Sequence, residues 1–117
     1  MLHLSADTLK EFSKAIMAVG ELEEYRDREG NPVRRYESSD LEVLFSRLDG
    51  SWKFTGLSFW LFGANFIVDE TGAVYAIDED EDIESVDSVF MISDRDMKLA
   101  IRSYIQWRVN VARKLQF

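Results

Sequence analysis

The stretch Asp40–Trp60, DLEVLFSRLDGSWKFTGLSFW, decides the fold. Asp49-Gly50 stands between two apolar-rich flanks, which is a short hairpin signal. Leu41, Val43 and Phe45 alternate before it, and Trp52 and Phe54 alternate after it. A helical template also fits: Leu41, Leu44, Phe45 and Leu48 share a helical face, Ser39 and Glu42 have capping-box spacing, and Gly50 would follow the end. Strands are the preferred reading, because Val43, Phe45 and the aromatics that follow suit a pleated surface.

Working outward, residues Ala64–Ile77 read as a second hairpin. Phe66-Ile67-Val68 and Ala73-Val74-Tyr75-Ala76-Ile77 flank the turn Asp69-Glu70-Thr71-Gly72. Upstream, Gly30-Asn31-Pro32 is turn chemistry inside the charged segment ELEEYRDREGNPVRRYES, which predicts an exposed hairpin. Ser5 is placed to cap a helix over about Ala6 to Val19, with Leu9, Phe12, Ile16 and Val19 at helical spacing and Gly20 as the stop. Ser88–Ser93 predicts one more short strand. Ser93 then caps a closing helix whose apolar stripe is Met97, Ile101, Tyr104, Ile105, Val111 and Leu115. Together these elements predict a single α+β domain over residues 1–117. It has an N-terminal helix, a mostly antiparallel sheet of about four to six strands, and a C-terminal helix packed on the sheet.

The chain has 117 residues, 46% of them hydrophobic and 13% aromatic, enough for one domain with a real core. It has no cysteine, which excludes disulfides, thiolate metal sites and a thiol nucleophile, and fits a reducing cytoplasm. No apolar run approaches the roughly 20 residues that cross a bilayer, and the N-terminus lacks the pattern of a signal peptide.

Charge is distributed unevenly. The net charge is -8. Residues 1–53 hold eleven acids and eight bases, residues 54–94 hold ten acids and no base, and residues 95–117 hold six bases and one acid. Seven carboxylates crowd into AIDEDEDIESVD: Asp78, Glu79, Asp80, Glu81, Asp82, Glu84 and Asp87. Asp78, Asp80 and Asp82 match the first ligand positions of a calcium loop. Ile83 stands where that loop needs glycine, and Val89 stands where it needs a bidentate Glu, so no metal site is expected.

Catalytic signatures are equally thin. The one histidine, His3, stands beside a terminus, where chains fray. Gly63 and Gly72 are isolated and form no phosphate-binding fingerprint, so no cofactor is expected. The bases Arg95, Lys98, Arg102, Arg108, Arg113 and Lys114 follow the spacing of a solvated helix face, and an acidic chain repels nucleic acid and anionic membranes. Six aromatics lie within Trp52–Phe66, and Phe59-Trp60-Leu61-Phe62 carries apolar groups on both sides of a strand. Either both faces are covered or one side carries an interface patch.

The segment LFGANFIVDETGAVYAIDEDED, with the helix that starts at Ser93, resembles the C-terminal half of SUKH (SMI1/KNR4-like) domains. The likeness spans Leu61 to Ile105. It rests on a strand, a glycine-bearing turn, a strand with a Val-Tyr pair, and a closing helix. The Leu-Pro-aromatic element usual in the N-terminal half of that family has no counterpart here, where Pro32 follows Asn31. The resemblance implies an immunity-type role, binding and neutralising a cognate toxin, often a nuclease, and it carries over no functional residue.

These observations predict a small acidic protein-binding inhibitor rather than an enzyme. Its partner would be a basic protein, either a toxin or a nucleic-acid enzyme. The candidate contact residues are Asp69, Glu70, Asp78, Glu79, Asp80, Glu81, Asp82, Glu84 and Asp87, with Trp60 and Phe62 as aromatic anchors. A nucleic-acid mimic of viral type would use the same carboxylates. A secretion or assembly chaperone is the other alternative.

Overall fold

The computed structural model describes residues 2–61, 63–77, 83–85 and 93–115. Helix α1 spans Ala6–Val19. Seven strands follow: β1 Glu21–Arg26, β2 Pro32–Ser38, β3 Leu41–Leu48, β4 Ser51–Leu61, β5 Ala64–Asp69, β6 Val74–Ile77 and β7 Ile83–Ser85. Helix α2, Asp94–Leu115, closes the fold. The α+β class is as expected. Every neighbouring pair of strands is antiparallel, and the sheet order is the chain order, an unbroken meander. The predicted strand over Ser88–Ser93 falls mostly on residues outside those described.

Local chemistry accounts for the element ends. Ser5 Oγ accepts from the Thr8 N–H at 3.2 Å, and Ser93 Oγ accepts from the Asp96 N–H at 3.2 Å, so both helices start at the serines the sequence indicates. At the β3–β4 turn, Asp49 and Gly50 take φ 52 and 81, both positive as the tightest hairpin turn requires. The β1–β2 and β5–β6 turns share one design. The Asp27 carboxylate accepts from the N–H groups of Glu29 and Asn31, both at 2.9 Å. The Asp69 carboxylate accepts from those of Thr71 and Ala73 at 2.9 and 3.2 Å. Each turn carries a glycine three residues after its aspartate, Gly30 at φ 85 and Gly72 at φ 89.

Strand β3 resolves the rival readings of residues 40–49 in favour of sheet. Val43 pairs with Leu57, which pairs with Val68, which pairs with Val74, an apolar row crossing four strands. The register shifts once, where Leu44 faces Gly56 but Phe45 faces Phe54. Thr55 is the extra residue, and its hydroxyl donates to the Leu44 carbonyl at 3.2 Å. This bulge changes the phase of β4, so Phe54 shares a face with Leu57 and Phe59 although Leu57 is an odd number of positions, three, beyond Phe54.

Both helices pack on that face. Leu9, Phe12, Ile16 and Val19 of α1 join Met97, Ile101, Ile105 and Val109 of α2 over Val43, Leu57, Phe59, Phe66, Val68 and Val74. Phe59 stacks on Phe66 with ring centroids 5.3 Å apart, and Tyr104 tilts over Phe59 at 6.1 Å. The α2 stripe continues through Val109 rather than Val111, because four residues beyond Ile105 return to the same side of a helix.

Residues 2–4 are tied to the sheet. The Leu4 N–H donates to the Gly72 carbonyl at 2.8 Å, the Val74 N–H donates to the Leu2 carbonyl at 3.0 Å, and Leu2 and Leu4 are buried. Burial of two leucines and these two backbone hydrogen bonds act together against the entropy of ordering the segment.

Gly72 and Gly50 permit a paired test of this arrangement. Both have positive φ, so alanine at either costs about 1–2 kcal/mol. At Gly50 a methyl group meets open space, whereas at Gly72 it would collide with the Leu4 carbonyl. Urea unfolding is expected to show a clearly larger loss for Gly72→Ala than for Gly50→Ala. Equal losses would mean that the N-terminal segment is not held against the turn.

Candidate protein-binding surface

A meander puts its turns alternately at the two ends of the sheet. The β1–β2, β3–β4 and β5–β6 turns share one end. The β2–β3 turn at Ser39-Asp40, the β4–β5 turn and the facing ends of β6 and β7 share the other. Ile77 at the end of β6 and Ile83 at the start of β7 therefore lie at the end that also carries Trp60. Ile77 pairs with Ile83 and with Asn65, and Asn65 pairs with Trp60, so all four lie on one cross-strand row.

On β4, Phe59 points into the core, so its neighbour Trp60 points to the opposite face and is 51% exposed. The same face carries half-buried Leu44, Ile67, Tyr75 and Ile77. Beside Trp60 lies a depression of about 300 Å³ lined by the carboxylate residues Glu37, Asp40 and Glu42 and by Ser39, Ser58 and Asn65. The outer face of the sheet thus presents a tryptophan beside a cluster of three acids.

Two arginines hold the acids in place. Arg35 on β2 contacts Glu37 and Glu42 at 2.7 Å each and Glu23 at 3.2 Å. Its hydrogen bond to Glu42, reinforced by the nearby carboxylates, raises its pKa above the ordinary arginine value. Glu37 and Glu42 are direct cross-strand partners, a like-charge pairing that is unfavourable without a cation between them. One guanidinium against three carboxylates still leaves an excess of negative charge. Arg108 reaches from α2 to the β2–β3 turn, donating to Ser39 Oγ and to Asp40 Oδ2 at 3.1 Å. Ser39 sits at φ 55, a left-handed conformation uncommon for a residue with a side chain, and the Arg108 contact helps to hold it.

Of the residues expected from the sequence, Trp60 lies at the centre of this surface. Glu84 lies in β7 opposite Ala76. Phe62, Asp78, Glu79, Asp80, Glu81, Asp82 and Asp87 lie outside the described residues. Asp69 and Glu70 are at the opposite end of the sheet from Trp60. The Asp69 carboxylate serves its own turn, accepting from the Thr71 hydroxyl at 2.6 Å as well as from two backbone N–H groups. Sequence reasoning missed Glu37, Asp40 and Glu42. The signal that could have found them is the alternation of Arg35 and Glu37 on β2, folded about a Ser39-Asp40 turn so that Glu42 comes opposite.

Chemically, the surface suits a cation. An aromatic face attracts guanidinium or ammonium groups, and carboxylates around it add charge-assisted hydrogen bonds. Among the described residues, no helix is long and apolar enough to cross a membrane. Compared with family models, curated proteins and solved structures, the chain has no match.

The role of Asp69 is open to a pH test. Its hydrogen bond from the Thr71 hydroxyl, with those from the backbone N–H groups of Thr71 and Ala73, holds its pKa below the usual carboxylate value despite partial burial. A depressed folded pKa stabilises the fold above the unfolded value of about 3.9, and that contribution is lost as pH falls through the folded value. Asp69→Asn is expected to cost about 1 kcal/mol at neutral pH, the net scale of one intramolecular hydrogen bond. The gap from the parent should close on acidification below about pH 3.9, followed by chemical denaturation across pH. A gap independent of pH would assign the carboxylate no role in the turn.

Proposed function

We infer that this chain is a protein-binding inhibitor that captures a basic partner on the outer face of its sheet. The observation that carries this reading is Trp60, half exposed, beside a depression lined by the Glu37, Asp40 and Glu42 carboxylates. Trp60 would act as the anchor, taking an arginine or lysine of the partner against its ring. The carboxylates would orient that cation, and the acidic connection that begins beyond Ile77 would steer the partner's approach. Within this reading the partner is a toxin, a nuclease among the candidates, and the chain is its immunity protein. The SUKH likeness over Leu61–Ile105 and the net charge of -8 support that choice. The role is stoichiometric binding rather than catalysis. A cytoplasmic site of action is part of the proposal, supported by the absence of cysteine.

Anchors and steering charges leave different kinetic signatures. With the partner isolated from the native host, Trp60→Ala is expected mainly to speed dissociation, by about tenfold or more. Replacing Asp78, Asp80 and Asp82 together by Asn should slow association about tenfold at low salt, with the difference fading as ionic strength rises. Stopped-flow or surface-based kinetics across a salt series separates the two effects. If both variants bind like the parent at every salt concentration, the outer face is not the binding surface.

A further inference from the structure

The opposite face of the sheet holds a second surface of a different kind. Helix α1 has 14 residues, about 21 Å of helix, whereas the 11 residues of β4 extend about 36 Å. The helix layer leaves part of the β3–β4 hairpin uncovered. There Phe45 and Phe54, in edge-to-face contact at 6.3 Å, are only half buried. Between them and α1 runs a groove of about 660 Å³, floored by these rings, Leu9 and Met17. Met17 is 38% exposed.

The α1 wall has its own periodicity. Ala6, Lys10, Ser13 and Met17 recur at spacings of four, three and four and all line the groove. This stripe runs beside the core stripe of Leu9, Phe12, Ile16 and Val19, with buried Ser13 between the two. Such spacing is how a helix presents itself to a second helix, and the small side chains of Ala6 and Ser13 allow axes to approach to about 8–10 Å. Lys10 and Lys14 stand one turn apart on the rim, both exposed. Neither takes part in an ion pair among the described residues, so both charges are open to a ligand in the groove. Glu70 is the one acid lining the groove.

We propose that this groove docks an amphipathic α-helix of a partner protein, lying beside α1 in the helix layer with leucine-like residues on the Phe45–Phe54 floor and Asp or Glu against Lys10 and Lys14. A helix fits because the groove continues the layer that α1 and α2 build, and because the wall repeats at helical spacing. An acidic helix fits because two exposed lysines stand on the rim. A second copy of this chain fits poorly. The outer face of its α2, with exposed Arg95, Lys98 and Arg102, would set cations against Lys10 and Lys14. The groove and the Trp60 surface lie on opposite faces of the sheet, so the protein can hold a basic partner on one face and an acidic helix on the other. The groove does not depend on the Trp60 reading.

The probe is a fluorescein-labelled helical peptide with leucines on one face and glutamates on the other. The controls are the same peptide with every Glu replaced by Lys, and a shuffled peptide of the first composition. Fluorescence anisotropy with the full chain is expected to give saturable, micromolar binding of the glutamate peptide. Binding should be at least about tenfold weaker for both controls and for the protein variant Lys10→Glu/Lys14→Glu. Both lysines are exposed, so the variant keeps the fold, and its circular dichroism melt verifies this. Met17→Glu, at the apolar floor, should weaken binding similarly. No saturable binding up to about 1 mM overturns the proposal, as does undiminished affinity in the double variant. Sedimentation that shows a dimer dispersed by Lys10→Glu/Lys14→Glu would assign the groove to a second copy and overturn it too.

Discussion

The phase of strand β4 sets everything else in this structure. Its side chains alternate between a face covered by two helices and a face that those helices leave alone, and the bulge at Thr55 resets that alternation once. Phe59 enters the core, stacks on Phe66 and meets Tyr104 of α2. Trp60, one residue later, must point outward. If β4 alternated regularly through Thr55 instead of bulging there, Phe54 would fall on the outer face and the β3–β4 hairpin would lose the edge-to-face contact between Phe45 and Phe54. A slip of one residue would exchange the inside and outside sets entirely, so the apolar row of Val43, Leu57, Val68 and Val74 defends the register.

Meander order then sorts the charged residues by end. The aspartates at Asp27 and Asp69 are consumed by their own turns, each accepting backbone N–H groups. At the other end, Asp40 closes the β2–β3 turn under the hand of Arg108, and Glu37 and Glu42 share Arg35. Carboxylates that look equivalent along the chain therefore do different physical work. Some complete the backbone hydrogen bonding of tight turns, while others form a negative surface around an aromatic ring.

The two faces of the sheet end up with opposite character. The outer face offers a tryptophan among acids, whereas the groove on the helix face offers phenylalanines under two lysines. In a chain with net charge -8, two lysines on the rim of one apolar groove give that groove a local charge opposite to the total. The proposed capture of a basic protein and the proposed docking of an acidic helix draw on separate residues, and steric interference between the two occupants is not built into the fold.

Much of the architecture was legible along the chain because it rests on local chemistry. Serine caps, the Asp49-Gly50 turn and the helical spacing of α1 each involve residues within a few positions of one another, and the structure keeps them where the sequence put them. Trp60 was legible as an aromatic to spare, since four consecutive apolar residues cannot all face one side of a strand. The site around it was not. Glu37, Asp40 and Glu42 are ordinary acids until the β2–β3 register sets Glu37 opposite Glu42 and the sheet brings both beside Trp60. Nor does the sequence show that Leu2 and Leu4 are pinned against the β5–β6 turn, or that Arg108 crosses from α2 to Ser39. Those contacts join residues about 70 positions apart. Contacts at that range exist only once the core has closed, so the sequence determined the elements and tertiary packing alone decided which charges meet.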